Sequence, residues 1–365
     1  MRRERVGLLL VNLGTPASPD PADVRPYLRQ FLWDERVLDI PAWKRWLVLN
    51  LFVLPFRPRA SGEAYAKIWT DRGSPLLSYG RDLTERVRRL VPDGVEVELA
   101  MRYGEPSTPA ALDRLRARGI DRIVVFPLYP QYSSAANGSS LEEIFRWAAR
   151  LWNVPSLHVV PPFWSHPAFL DACAEVARPF LDRARHEKVF FSFHGLPERH
   201  VRKSDDTGRH CLEVPDCCAS IVEANRNCYR AQCFDTARLL ADRLGIPDEQ
   251  RSVCFQSRLG RDPWIRPYTD EVLAEQARAG CRRAAILSPA FVTDCLETVE
   301  ELGIRGVETW EQAGGEELTL VPCLNADDAW ARGLVAIARE STRWLDGPAS
   351  SAAATSVADA GGATR

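Results

Sequence analysis

The sequence contains no uninterrupted apolar stretch of the roughly 18 residues that a membrane-spanning helix requires. It also lacks a charge imbalance: 47 Lys and Arg residues against 49 Asp and Glu residues leave a formal net charge of −2, which creates no bulk field to attract nucleic acid. Ten cysteines in 365 residues are too few for a disulfide-scaffolded protein. The remaining composition, 45% hydrophobic and 26% charged, is typical of a folded globular protein, and the length predicts two domains.

The first apolar run, residues 6–11, could be mistaken for a secretory signal. It is interrupted at Asn12 and followed by Gly14 and Pro16, without a small-residue cleavage site, so a buried first strand is the better interpretation. We therefore expect a cytoplasmic protein, in which cysteines stay reduced and bind metals or take part in chemistry rather than cross-link the chain.

Short apolar runs bounded by turn residues alternate with longer amphipathic segments, which is the pattern of a parallel α/β protein. The runs lie at residues 6–11, 95–101, 123–127, 157–160, 189–193, 252–255, 284–287 and 318–321. The first three of them align with the fifth to seventh, which indicates an internal duplication. The fold class predicted is therefore α/β, with two similar Rossmann-like domains that each contain a parallel four-stranded sheet flanked by helices. Functional residues are expected at the carboxyl ends of the strands, facing an interdomain cleft.

The duplication divides the chain near residue 165. We predict an N-terminal domain over residues 1–165 and a C-terminal domain over residues 166–346, with the possibility left open that its final helix packs back on the first half. Residues 347–365 are rich in Ala, Ser, Gly and Thr and lack large apolar side chains, so they are predicted to be disordered.

Residues 41–60 form an unusual apolar segment of the first domain, called the lip below. Residues 47–54 are apolar nearly all round, Trp43 and Trp46 lie on one flank, and basic residues lie on both. This pattern predicts either a buried helix or an edge that lies at a membrane interface.

One histidine, His194, ends a predicted strand and precedes a Gly-x-Pro turn. A lone histidine is often only a packing or surface residue. At a strand end that opens on a cleft, however, neutral imidazole can take a proton near neutral pH or bind a metal. His194 is therefore the candidate base of the second half.

Several acids follow the seventh apolar run, residues 284–287, in the second half. If Thr293 caps a helix, Asp294, Glu297 and Glu301 lie on one face at spacings of three and four residues. Carboxylates this close repel one another as anions, so such a stack can hold protons or hard cations. The alternative is a solvated acidic helix face.

With these candidates in place, a set of short motifs resembles the ferrochelatases, enzymes that insert Fe²⁺ into a porphyrin to make haem. The matching motifs lie, in the family's order, at residues 11–16, 65–69, 73–76, 101–104, 126–133, 138–140, 193–199, 255–258, 263–264 and 297–298. They extend over roughly residues 5 to 340. Any one motif is weak evidence, but the ordered set is specific.

The resemblance implies two Rossmann-like halves with a porphyrin cleft between them and no nucleotide. It implies that His194 and Glu297 are catalytic and handle the substrate Fe²⁺, and that Asp294 and Glu301 extend an acidic path. The cleft residues it implies are Leu13, Arg102, Tyr103, Trp264 and Phe291, with Arg102 in a propionate-binding or structural role. The sequence departs from the family at Cys295, where animal members carry a second histidine, and at residues 203–206.

Five cysteines, Cys211, Cys217, Cys218, Cys228 and Cys233, fall within 23 residues of the loop over residues 208–233. Reduced packing cysteines or a disulfide pair are possible, but four thiolates from one loop suit Zn²⁺ or an iron–sulfur cluster. The resemblance implies a [2Fe–2S] cluster of structural or regulatory role. Its expected ligands are Cys211, Cys218, Cys228 and Cys233, with Cys217 as the alternative to Cys218.

The function expected from the sequence is insertion of Fe²⁺ into protoporphyrin IX with release of two protons. Coproporphyrin III is the alternative substrate, and a porphyrin or metal carrier and an iron–sulfur sensor are alternatives from other classes. The expected partners are the porphyrin and Fe²⁺, with peripheral membrane contact through the lip and no nucleic acid. Monomer and homodimer remain equally open.

Overall fold

The computed structural model describes residues 5–182, 184–260 and 262–346. The tail predicted at 347–365 lies outside these residues. The structure contains two four-stranded parallel sheets, one in each half of the chain. The strands of the first sheet are β1 Val6–Gly14, β2 Val95–Tyr103, β3 Arg122–Pro127 and β4 Ser156–Val159, and those of the second are β5 Lys188–His194, β6 Arg251–Gln256, β7 Arg283–Leu287 and β8 Glu317–Leu320.

The two sheets have the same topology. Their strand orders are β2-β1-β3-β4 and β6-β5-β7-β8, so the first strand of each half pairs with the second and third. Residues 8–11 of β1 are fully buried, as expected for a parallel sheet that helices cover on both faces. The predicted α/β fold with a duplicated four-strand unit is confirmed.

Helices connect and cover the strands. The α-helices are α1 Pro21–Trp33, α2 Ala42–Leu47, α3 Arg57–Ile68, α4 Pro75–Leu90, α5 Thr108–Ala117, α6 Ser139–Ala148, α7 Pro167–Ala177, α8 Glu198–Lys203, α9 Tyr229–Leu244, α10 Thr269–Arg278, α11 Val307–Gln312 and α12 Asp328–Ser341. Three π-helices span Val48–Val53, Ser134–Gly138 and Leu296–Gly306, and short 3₁₀ turns span Arg178–Phe180, Glu223–Asn225 and Arg343–Leu345.

The final helix α12 packs back on the first half. Its Trp330 is fully buried, and the ring lies 6.5 Å from Phe126 of β3 and 5.8 Å from Phe163. One continuous hydrophobic core therefore contains residues from both sheets. This packing fixes how the strand ends of the two halves face each other.

The lip is partly buried and partly exposed. It consists of α2 and the π-helix Val48–Val53; Leu49 is 1% exposed, whereas Phe52 and Phe56 are 67% and 71% exposed. The buried-helix alternative does not describe it fully, because one face packs inward and the other is apolar and open to solvent. The membrane-interface alternative stays a prediction. Within the described ranges, no helix is both long and apolar enough to cross a membrane.

Candidate active site

His194 is the last residue of β5, at the edge of the second sheet that faces the first half. Its Nδ1 lies 2.6 Å from Gly195 O, and because a carbonyl oxygen only accepts, Nδ1 must carry the proton. Nε2 is then the nitrogen with the free lone pair. The ring centroid lies 6.3 Å from both Trp264 and Phe291, so three residues predicted for the cleft do lie together.

The acidic segment after β7 differs from its predicted form. The helix there is a π-helix, Leu296–Gly306, and its N-cap is Cys295 rather than Thr293. Cys295 N donates to Thr298 Oγ1 at 3.0 Å, and the Thr298 backbone N–H donates in return to the Cys295 side chain. The two residues form a capping box at the first turn. Because a π-helix is hydrogen-bonded from i to i+5, the 3.6-residue spacing assumed for one acidic face does not apply. The predicted cap and helix type were wrong.

Asp294 lies just before this π-helix and is buried within a hydrogen-bond network. Its carboxylate accepts from Thr298 Oγ1 at 3.1 Å, from Asn325 Nδ2 at 2.7 Å and from Cys323 N at 3.2 Å. These three donors hold the start of the helix against the chain that follows β8. The structure thus gives Asp294 an anchoring position.

Glu301 is bound at the end of β6. It accepts from both the backbone N–H and the hydroxyl of Ser257, and the N–H distance is 2.8 Å. Ser257 has a positive φ of 66°, and Gln256 Nε2 donates to Glu297 O at 2.6 Å, so the strand end and the π-helix are tied together twice. Asp294 and Glu301 are therefore held by separate partners on either side of Glu297.

Glu297 has a different environment from the other two acids. Its neighbours are the thiol of Cys295, which hydrogen-bonds to its carboxylate, and the phenols of Tyr27 and Tyr65 from the first half. Burial, with a further contribution from Glu297, raises the pKa of both tyrosines well above the usual value, so both stay protonated. Glu297 is thus a half-buried carboxylate whose charge is felt by two protonated phenols of the first half.

Arg102 and Tyr103 belong to a buried network of the first half. Arg102 Nη2 lies 2.6 Å from Asp34 Oδ2, and Tyr103 OH donates to the same oxygen at 2.9 Å. Arg102 Nε donates to Ser139 O at 3.0 Å. Close backbone approach requires glycine beside this network, since a Cβ at Gly14 would lie 1.8 Å from Tyr103 O. Of the two roles left open for Arg102, the geometry favours the structural one.

Leu13 lies where the two halves meet. It packs in an aromatic cluster of the first half with Tyr27, Tyr65 and Tyr103, and Leu296 of the π-helix packs on the same cluster. Nearby, Lys67 Nζ lies 3.4 Å from Glu300 Oε1, a contact between α3 and the π-helix. The helix that carries Glu297 is therefore supported by the first half of the chain.

The structure brings the five clustered cysteines together. Cys217 Sγ lies 3.7 Å from Cys218 Sγ, and the Cys228 thiol hydrogen-bonds with those of Cys211 and Cys218. Cys233 is fully buried and close to Cys218. All ten cysteines of the chain are free thiols.

Two polar side chains outside the cysteines shape the same loop. The carboxylate of Asp205 accepts from His210 N at 2.7 Å and from Cys211 N at 2.9 Å. Arg230 Nη1 donates to Cys218 Sγ at 3.1 Å, which suits a sulfur that carries negative charge. Burial raises the pKa of Cys211 to about 11, so this thiol is a thiolate at neutral pH only with a metal bound.

The thiols of the cysteine-rich loop are neighbours, but their arrangement does not by itself show a metal site. In the part of the chain that the structure describes, no group of three or more His, Cys, Asp or Glu side chains is arranged to hold one metal ion. A [2Fe–2S] cluster distributes four thiolates over two irons, so its ligands need not converge on one point. The donor set, four or five neighbouring thiols, is the one such a cluster uses.

The family is decided by comparison with known proteins. A sequence model described as Ferrochelatase matches residues 5–342. The chain belongs to the ferrochelatase family. It is 49% identical to the ferrochelatase of Azotobacter vinelandii over 333 residues, covering 91% of this chain and 98% of the relative. It is 47% identical over 328 residues to the ferrochelatase of Pseudomonas fluorescens strain SBW25, covering 90% and 95%.

Solved structures agree on the fold of this ferrochelatase-family chain. SirB from Bacillus subtilis with Fe³⁺ superposes with a TM-score of 0.53 at 13% identity, covering 92% of this chain and 95% of SirB. The cobalt complex of the sirohydrochlorin chelatase SirB from Bacillus subtilis subspecies spizizenii gives a TM-score of 0.52 at 12% identity, covering 93% and 96%. At this identity the likeness shows the two-lobed fold alone.

Sequence reasoning missed one polar cluster of this ferrochelatase-family chain. The carboxylate of Asp39 lies 2.6 Å from Arg199 Nε and 2.7 Å from Lys203 Nζ. His200 Nε2 lies 3.1 Å from the same carboxylate. This cluster borders an interlobe cavity of about 520 Å³, which Tyr132 also lines. Asp39 and Arg199 are 160 residues apart, so no local pattern could have paired them.

Proposed function

We propose that this protein catalyses insertion of Fe²⁺ into protoporphyrin IX with release of two protons, as a chelatase of the lyase class. The observation that carries the proposal is His194 at the end of β5, whose Nδ1 is bound to Gly195 O and whose ring lies 6.3 Å from those of both Trp264 and Phe291. Aromatic faces suit a flat macrocycle, and a neutral imidazole suits removal of its pyrrole protons. Membership of the ferrochelatase family supports the same reaction.

The roles of the three acids differ in this proposal. Glu297 carries protons or the incoming Fe²⁺, because its half-buried carboxylate is hydrogen-bonded to the Cys295 thiol and its charge acts on the protonated phenols of Tyr27 and Tyr65. Asp294 and Glu301 are positioning residues that hold the π-helix on either side of Glu297 through Thr298 and Ser257. The domain boundary near residue 165 remains part of the proposal, since it puts His194 and Glu297 on one half and Leu13 on the other.

Binding and bending of the macrocycle supply the remaining catalysis. A planar ring keeps its nitrogen lone pairs in plane, where they are poorly aimed at a metal. A cleft that binds a bent ring more tightly than a flat one stabilises the transition state selectively. We assign this work to the walls formed by Leu13, Trp264 and Phe291, while the buried pair Arg102 and Tyr103 supports the wall from behind.

A [2Fe–2S] cluster in the loop over residues 208–233 is a further part of the proposal. Its ligands are Cys211, Cys228 and Cys233 with Cys218, or with Cys217 in place of Cys218. The contacts among these thiols, the Arg230 hydrogen bond to Cys218, and the number of sulfur donors in one loop support it. Such a cluster supplies structural order to the loop, and metallation itself involves no net electron transfer.

Peripheral membrane contact through the lip is proposed for a cytoplasmic protein. The support is four exposed aromatic side chains of the lip, Trp43, Trp46, Phe52 and Phe56, together with Lys44 Nζ, which lies 5.4 Å from the centroid of the Trp43 ring. A basic and aromatic edge of this kind suits reversible binding to a lipid surface, which would receive a poorly water-soluble product.

The test of the function is a metallation assay with purified protein, Fe²⁺ or Zn²⁺, and protoporphyrin IX or coproporphyrin III in parallel. We expect turnover with protoporphyrin IX to exceed that with coproporphyrin III. Preference for coproporphyrin III would change the substrate and keep the chemistry. Tight porphyrin binding without metal insertion would make the protein a carrier, and the catalytic proposal would be wrong.

A further inference from the structure

Two buried glutamines join the first turns of α9 to the loop that follows β3. Tyr132 N donates to Gln232 Oε1 at 2.6 Å, and Gln131 Nε2 donates to Thr236 Oγ1 at 3.0 Å. Gln131 and Gln232 are 2% and 1% exposed, so the contacts are shielded from water and their loss would leave buried polar groups unpaired. The loop of the first half is therefore held by side chains of the second half.

The same Gln232 is bound to the cysteine-rich loop at its other end. Its Nε2 donates to Arg226 O at 2.7 Å, and its backbone N–H donates to Cys228 O at 3.0 Å. Cys228 N donates in turn to Asn225 O at 2.8 Å, and the fully buried Asn225 side chain donates to two carbonyls of the loop. A continuous series of hydrogen bonds thus runs from the cysteine-rich loop to the backbone of Tyr132.

Tyr132 belongs to the wall between the halves. It lines the 520 Å³ interlobe cavity, and Ser133 after it caps the π-helix Ser134–Gly138. Ser139, which follows that helix, donates to Asp34 in the buried network beneath the cleft. Displacement of the Tyr132 backbone would therefore change the wall of this interlobe cavity.

We propose that Gln232 is a positioning residue through which the metal state of the cysteine-rich loop sets the geometry of the interlobe cavity at Tyr132. This inference rests on the metal centre and the chelatase activity proposed above. With metal bound, the loop holds Arg226 O in place and Gln232 presents Oε1 to Tyr132 N. Without metal the loop loses order, since its ligands are held only through their metal, and the Tyr132 amide loses its acceptor for part of the time.

Hydrogen exchange at the Tyr132 amide in the purified, metal-loaded protein tests this path. We expect exchange to rise about tenfold in Gln232→Met, which preserves side-chain volume and removes both side-chain hydrogen bonds. Cys228→Ser should raise it comparably. In the double variant, Cys228→Ser should add little, because both changes act on the same bond.

Thr236→Val is the matched control. It removes the bridge from Gln131 and the hydroxyl's bonds to Gln232 O and Trp164 O, and it leaves both side-chain hydrogen bonds of Gln232 in place. In the Thr236→Val background, Cys228→Ser should therefore still raise exchange at Tyr132. Kinetics give a second readout: KM for the porphyrin should rise about fivefold in Gln232→Met while kcat stays within about twofold, because Gln232 shapes the interlobe cavity without touching the reacting atoms.

Three outcomes overturn the proposal: unchanged exchange at Tyr132 in Cys228→Ser, a full additional increase when Cys228→Ser is combined with Gln232→Met, or a wild-type protein that holds no metal. If Cys228→Ser does not fold, wild-type protein stripped by an anaerobic chelator takes its place in the same comparison. A metal-bearing protein without chelatase activity refutes the proposed function alone, and the exchange comparison then still decides the role of Gln232.

Discussion

Arg199 Nε donates to Asp39 Oδ1 at 2.6 Å and so joins the segment leading into the lip to α8, the helix that follows His194. Lys203 Nζ donates to the other carboxylate oxygen at 2.7 Å. Burial alone would raise the pKa of Asp39, but the hydrogen bonds from Lys203 and Arg199 and the nearby His200 ring lower it to about 2. One carboxylate thus holds the edges of both halves at the cleft.

Removing this charge should weaken the protein in a pH-dependent way. Because the folded pKa of Asp39 is depressed, its stabilisation is fully present above the usual value of 3.8 and is lost as pH falls through about 2. We expect Asp39→Asn to lower the free energy of unfolding at pH 7 by about 1 kcal/mol, after allowance for solvent screening. Urea unfolding at pH 7 and at low pH measures the change.

The difference in free energy of unfolding between wild type and Asp39→Asn should shrink below pH 4, because the stabilisation by the wild-type carboxylate is then progressively lost. The control is Asp93→Asn, at an exposed turn before β2. A difference that stays constant down to pH 2 would show that Asp39 acts through packing rather than charge.

His194→Ala tests the proposed base. Loss of a general base typically lowers turnover by about 10² or more, so metal insertion should fall by at least that factor. Porphyrin affinity and the unfolding midpoint should stay close to those of the wild type, because the neighbouring Trp264 and Phe291 remain. Steady-state metallation and fluorescence titration with porphyrin measure both quantities. His158→Ala, whose ring contacts Ser341 and Trp344, is the control. Near-normal turnover in His194→Ala would remove the residue from the mechanism.

Glu297→Gln tests the role of Glu297 separately from the positioning roles of Asp294 and Glu301. The amide keeps the shape of the carboxylate and removes its charge, so kcat and the apparent affinity for Fe²⁺ should fall about tenfold or more while porphyrin binding changes little. Glu308→Gln, at an exposed position of α11, should behave as wild type. If Glu297→Gln retains the wild-type dependence on metal concentration, Glu297 lies on a solvated face and carries neither protons nor iron.

If the cysteine-rich loop holds an iron–sulfur cluster, the purified protein should be coloured. Anaerobically purified protein should contain about two irons and two acid-labile sulfides per chain, and Cys228→Ser or Cys233→Ser should lose both. Cys281→Ser, outside the loop, should keep them. Serine variants of Cys217 and Cys218, prepared separately, identify the fourth ligand. One zinc without labile sulfide would replace the cluster by a zinc site, and absence of metal would contradict both.

The lip should bind vesicles reversibly. Co-sedimentation with anionic vesicles is expected for the wild type and should fall severalfold when the exposed residues Trp46, Phe52 and Phe56 become Ser. The same change at Leu49 is not informative, because that side chain is buried and its loss would disturb the fold. A wild-type protein that never co-sediments would leave the lip as a cleft edge only.

The sequence by itself determined the repeated parallel sheets, because buried strands need continuous apolar runs that are legible in the chain. It also located His194 at a strand end and five thiols in one loop, since each of these is a local pattern.

Tertiary structure decided what the polar side chains do. Arg199 finds Asp39 across 160 residues, and Asp294 finds Asn325 beyond β8. The helix that carries Glu297 adopts π geometry while packed against α3 and β8, which a periodicity rule for α-helices does not foresee. Hydrogen-bond partners depend on which elements the fold brings together, so they follow from packing rather than from spacing along the chain.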